Sequence, residues 1–139
     1  MSGPFFRDFR TRICRFEEDL FASFPAGHQL LPEVEAQRLI GEVFACHRAW
    51  PPILELVPGF DDPRIAGFAD VARHRIAIEH GYLYRFLVLH ESAHLLAPKD
   101  RRHGPDFTFV LQRLYRRFVG IPEEVVRTFL LRHELPIAA

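Results

Sequence analysis

The run Phe86-Leu87-Val88-Leu89-His90-Glu91-Ser92-Ala93-His94-Leu95-Leu96 constrains this chain more than any other stretch. Apart from His90, Glu91 and His94, every residue in it is uncharged, so a helix formed here belongs in an interior. A buried carboxylate with no cationic partner is costly to desolvate. Residues four apart on a helix share a face, with Cβ atoms about 5–6 Å apart, so the rings of His90 and His94 can converge on one ion. A divalent metal resolves the conflict. Zinc takes neutral imidazole nitrogens at about 2.0–2.1 Å, and a catalytic zinc commonly has three protein ligands and one open position. Glu91 borders the same face without joining the pair, where a general base stands to take a proton from water.

The third ligand has two candidates. Pro98 cannot continue the helix and disfavours helical backbone at Ala97, so the chain turns there. A charged loop, Lys99-Asp100-Arg101-Arg102, leads to His103-Gly104-Pro105-Asp106-Phe107. Gly104 permits an unusual backbone angle, and Pro105 suits the first position of a helix. His103 then stands at the entrance of a helix returning past the first one, facing His90 and His94. Asp100 is the rival. It follows His94 at the ligand spacing of the metzincin class, which has glycine where this chain has Ala97.

H-E-x-x-H, a short loop and H-G-P-x-F together resemble the SprT-like branch of the zincin zinc metallopeptidases. The similarity is closer to small bacterial metallohydrolases that carry the same two motifs. It extends more weakly from about Glu35 to about Phe118, taking in the Glu35-Ala36-Gln37 helix start and a strand pair ahead of the motif. The resemblance implies His90, His94 and His103 as Zn²⁺ ligands and Glu91 as the base. This chain departs from it in lacking a cysteine-rich zinc ribbon, and nothing before Leu31 or after Gly120 matches.

Elsewhere, periodicity predicts the elements. Phe6, Phe9, Ile13, Phe16, Leu20 and Phe24 recur at helical spacing, with Phe5 and Phe21 alongside, over a helix from Pro4 to Phe24. Arg7, Arg10, Arg12, Arg15, Glu17, Glu18 and Asp19 are assigned to its opposite, solvent side. The apolar side either docks on its own domain or meets a partner or second copy. Pro32 opens a helix with Ala36, Leu39, Ile40, Val43, Phe44 and His47 as its buried stripe, ended by Pro51-Pro52. Ile53 to Val57 reads as a short strand. Ile65–Val71 and His74–Glu79 read as a hairpin, whose second arm is half-buried and stands at an edge, where Arg75–Glu79 either pairs with an extended substrate or is a charged strand that resists aggregation. His80 is a turn histidine or a neighbour of the metal. Phe107, Val110, Leu111, Leu114, Tyr115 and Phe118 line a helix ending at Gly120. Val125, Val126, Phe129, Leu130 and a structural His133 line the last one.

These readings give an α+β, zincin-like fold: a small antiparallel or mixed sheet with a backing helix, an H-E-x-x-H helix and C-terminal helices. The 139 residues form one domain, comprising a Phe-rich N-terminal helical extension (1–30), a core (31–120) and a C-terminal helix (121–139). Eighteen basic residues balance eighteen acidic ones, which removes the electrostatic pull toward nucleic acid. No apolar run approaches the length of a membrane span. Two distant cysteines, Cys14 and Cys46, fit a reducing, cytoplasmic compartment. The expected activity is zinc-dependent hydrolysis of a peptide or protein substrate. Tyr82, Tyr84, Tyr115 or an arginine is the candidate oxyanion donor, and Arg113, Arg116 and Arg117 form a solvated face from which one could reach a substrate carboxylate. The alternatives are hydrolysis of another amide or ester, and a metal-stabilised interaction module without turnover.

Overall fold

The structure, a computed structural model, describes residues 10–100 and 102–137. The expectations for Phe5, Phe6, Arg7 and Phe9 fall outside the described residues. Five α-helices and a three-stranded mixed sheet make an α+β fold among the described residues. Helix α1 spans Arg10–Ser23 and is followed by a 3₁₀ turn at Pro25–His28; α2 spans Glu33–Cys46. Strands β1 (Ile53–Val57), β2 (Gly67–Asp70) and β3 (Arg75–Glu79) follow, then α3 (Arg85–Leu96), α4 (Pro105–Val119) and α5 (Glu123–Arg132).

One apolar cluster joins all these layers. Ile13, Phe16, Leu20 and Phe21 of α1 share it with Leu39, Ile40 and Phe44 of α2, Ile76 and Ile78 of β3, and Leu111, Leu114 and Tyr115 of α4. The described part of the Phe-rich helix therefore spends its apolar side inside the domain. Polar contacts pin it to α5. Arg132 and His133 reach Asp19 at 3.0 and 2.9 Å, and Arg12 donates to the Glu134 carbonyl. One residue departs from its sequence assignment. Glu17 is not on the solvent side but 5% exposed, because it lies one turn from Ile13 and from Phe21 on the buried stripe.

The hairpin forms, with a turn at His74 in left-handed backbone (φ 53°). Its second arm is not an edge. β1 pairs with β3 in parallel and β2 pairs with it antiparallel, giving the order β1-β3-β2. Ile76, Ala77 and Ile78 are buried in succession, as in a strand covered on both faces. Alternating isoleucines suggested one wet face, but Ala77 is small enough to be covered on the other. Among the described residues β2 is an edge strand, and it is the edge strand packed against α3. At the close of α2, His47 caps the helix, its ring Nδ1 2.8 Å from the Val43 carbonyl, and it is exposed rather than part of the buried stripe. No helix among the described residues is long and apolar enough to cross a membrane.

Candidate metal centre

Helix α3 runs through the middle of the molecule, packed against α2, α4 and β2. Val88, Leu89, His90, Glu91, Ser92, Ala93 and Leu95 are all buried along it, as its nearly uncharged sequence requires. His90 and His94 project from one face, their ring centroids 5.1 Å apart.

His103 joins them from the loop. Pro98 ends the helix, and the chain turns so that the His103 ring lies 4.7 Å from that of His94 and 5.2 Å from that of His90. One ligand nitrogen from each of the three lies within 4.8 Å of the others, the one such group among the described residues. The Nε2 atoms of His94 and His103 are 3.1 Å apart. Tetrahedral coordination at about 2.0–2.1 Å separates two nitrogens by about 3.3 Å, so the His94–His103 pair already stands near the separation that a shared ion requires.

Asp100 is not part of this group. Its two carboxylate oxygens accept from the backbone N–H of Gly104 at 2.9 Å and of Phe107 at 3.1 Å, satisfying donors at the open start of α4. His103 itself sits at φ 58°, a left-handed conformation unfavourable for a residue with a Cβ. Gly104 is needed because a Cβ there would lie 2.6 Å from Asp100 Oδ1. Pro105 is the first residue of the helix, and the Phe107 ring packs 4.4–5.1 Å from all three imidazoles. The H-G-P-x-F segment thus reads as a loop that aims a histidine and a phenylalanine that backs the cluster.

Behind the cluster stands Glu17, which sequence reading did not place there. Its Oε2 lies 2.7 Å from His90 Nδ1 and accepts from the Tyr115 hydroxyl at 2.6 Å. Tyr115 is fully buried and so engaged, which removes it from the candidate oxyanion donors. Burial disfavours a charge on His90, but the charge and hydrogen bond of Glu17, with Glu91, outweigh it and raise the imidazole to about 9. Burial and the charge on His90 push His94 down to about 3, which keeps its ring neutral. Burial raises the Glu91 carboxyl to about 7; His90 opposes the shift and Glu17 adds to it. Burial, followed by the charge and hydrogen bond of Glu17, holds the Tyr115 phenol well above its usual value.

The cluster opens into a cleft of about 950 Å³. Its walls are the 3₁₀ turn at His28, the aromatic segment Tyr82–Phe86, Ile13 of α1 and the length of β2. Glu91 faces β2 closely, since a Cβ on Gly67 would lie 2.9 Å from Glu91 Oε2. His80, Arg113, Arg116 and Arg117 do not line the cleft. His80 is exposed at its turn, and Arg116 pairs with Glu123. Cys14 and Cys46 are exposed and form no disulfide with each other.

Fold and site together define an α+β protein with a buried three-histidine centre that could hold a metal ion. Comparison with protein-family models, curated proteins and solved structures gives no match for this chain.

Proposed function

We propose that the chain is a zinc-dependent metallohydrolase, in the first place a metallopeptidase of zincin-like fold, acting on an extended segment of peptide or protein. The observation that carries this reading is the convergence of His90, His94 and His103 beside a buried Glu91 at the floor of an open cleft. A structural zinc is ordinarily closed by four protein ligands, whereas three leave a position for a reactant. His90, His94 and His103 would hold the ion, which supplies Lewis-acid polarisation of a carbonyl and acidification of water.

Glu91 takes the proton of the attacking water and delivers it to the leaving amine, as a positioned carboxylate can. Tyr82 and Tyr84 line the same cleft and are the hydroxyls available to the carbonyl oxygen as charge develops on it. The β2 edge would align the substrate. Glu79 N–H donates to the Ala66 carbonyl and the register pairs Phe68 with Ala77. In an antiparallel ladder, Ala66, Phe68 and Asp70 then bond inward, while Gly67 and Ala69 turn their N–H and C=O groups to the open edge. An extended chain added there would pass alongside Glu91.

The test is hydrolysis of a peptide library by the zinc-loaded protein, with a chelator control. Glu91→Gln is expected to keep its zinc and lose turnover, and His94→Ala to lose both. Full turnover in Glu91→Gln would remove it as base. Zinc binding that only raises stability, without turnover on peptides, amides or esters, would favour an interaction module instead.

A further inference from the structure

Glu17 has no place in the motif, yet it is the residue of α1 that reaches the cluster. It is separated in sequence from His90 by 73 positions and from Tyr115 by 98. Its side chain is 7% exposed, and it occupies a stripe otherwise filled by Ile13, Phe16, Leu20 and Phe21. An apolar residue at that position would dock the helix without the cost of burying a charge. A single oxygen, Oε2, meets both the His90 ring and the Tyr115 hydroxyl, so the tyrosine holds the carboxylate while the carboxylate holds the imidazole.

We propose that Glu17 is the positioning residue of the metal centre, and that through it the docking of α1 and the binding of the metal are coupled. By accepting Nδ1–H of His90, the carboxylate fixes both the ring orientation and the tautomer, leaving Nε2 as the nitrogen with a lone pair for the ion. His94 and His103 meet through their Nε2 atoms, so the three ligands become alike. Coupling follows because the carboxylate arrives on a separate helix. Whatever holds His90 in its ligating form favours the docked helix, and by reciprocity a bound ion favours docking to the same degree. The inference rests on the metal-binding part of the proposed function and not on turnover.

Zinc affinity, measured by chelator competition on the full chain, tests it with Glu17→Met, Glu17→Gln and Tyr115→Phe. Methionine removes the acceptor at similar volume and is expected to weaken zinc roughly ten- to a hundredfold, the range for partners of this kind. Glutamine can place its amide oxygen where Oε2 stands, without the charge, and should fall between methionine and wild type; phenylalanine at 115 should cost less than methionine at 17. Amide exchange across residues 10–23 should slow on zinc binding in wild type and respond less in Glu17→Met. Melting of the metal-free forms separates a structural role. Lower stability with unchanged zinc affinity overturns the proposal, as does an exchange response that Glu17→Met leaves intact. If Glu17→Met does not fold, the ¹⁵N spectrum of the His90 ring in the zinc-loaded wild type decides. Protonated Nδ1 with ligated Nε2 supports the proposal, and ligation through Nδ1 overturns it. A wild type that binds no zinc removes the metal reading and this inference together, whereas zinc binding without hydrolysis removes only the peptidase reading.

Discussion

Replacing Asp100 with alanine separates the two candidate roles of that residue. Its carboxylate accepts from Gly104 N–H and Phe107 N–H and lies half-buried, so both bonds compete with water. Losing a side-chain acceptor at a helix start costs about 1 kcal/mol, up to about 2, and the left-handed backbone at His103 is no longer compensated. We therefore assign about 2 kcal/mol to the pair of bonds. Unfolding entropy of about 2.1 cal/mol/K per residue, applied to 139 residues, turns this into a fall of about 7 °C in melting temperature. If all of that loss appeared as mis-aimed His103, zinc binding would weaken by about thirtyfold, since each 1.4 kcal/mol is tenfold. Calorimetric melting and chelator competition on Asp100→Ala and His103→Ala measure both. The expected result is a destabilised Asp100→Ala that still binds one zinc, with His103→Ala the weaker binder of the two. An Asp100→Ala protein that melts like wild type but loses zinc as completely as His103→Ala would show that the aspartate is a ligand and refute the argument.

Other outcomes follow from the same geometry. Gly67→Ala puts a methyl group against the Glu91 carboxylate; kcat should fall by about tenfold to a hundredfold, the scale of a misplaced catalytic group, with zinc affinity unchanged. Ala69→Pro removes an N–H directed away from the β2–β3 ladder, where proline is tolerated, so KM for peptides should rise while the melting temperature moves little; an unaltered KM would remove β2 as the substrate strand. Stability should also depend on pH. Folding raises His90 from 6.5 to about 9, so its contribution is complete below pH 6.5 and is lost as pH rises through 9. Glu91, raised from 4.5 to about 7, acts in the same direction, and His94, lowered from 6.5 to about 3, opposes them only below pH 6.5. In chelator, melting temperature should therefore fall between about pH 6.5 and 9. The increment given by added zinc should grow over the same window as protons leave the ligands. A flat or rising profile in chelator would contradict these shifts.

The centre was legible because its residues are local. His90, Glu91 and His94 are fixed by helical period, and Pro98, Gly104 and Pro105 announce a turn that brings His103 back. Asp100 was ambiguous, since spacing alone does not reveal that backbone N–H groups claim both of its oxygens. Glu17 was missed for another reason. Ile13, Phe16, Leu20 and Phe21 already traced an apolar stripe, and Glu17 stands on it; a charged residue in such a row signals a buried partner, but its partners lie on α3 and α4, far away in sequence. The sheet edge was misplaced at Arg75–Glu79 through the same blindness to distance. β3 was given its hairpin partner from adjacent sequence, whereas the parallel pairing with β1 depends on a crossover that no local pattern records. The helices and the strand at Ile53–Val57 follow their apolar periods.

Zinc-edge X-ray absorption on the protein loaded with one equivalent of zinc tests the central claim most directly. Three imidazole nitrogens and one further light atom, all at about 2.0–2.1 Å, are predicted, with one imidazole lost in His103→Ala. A site with sulfur or carboxylate in place of an imidazole, or a spectrum that His103→Ala leaves unchanged, would contradict it.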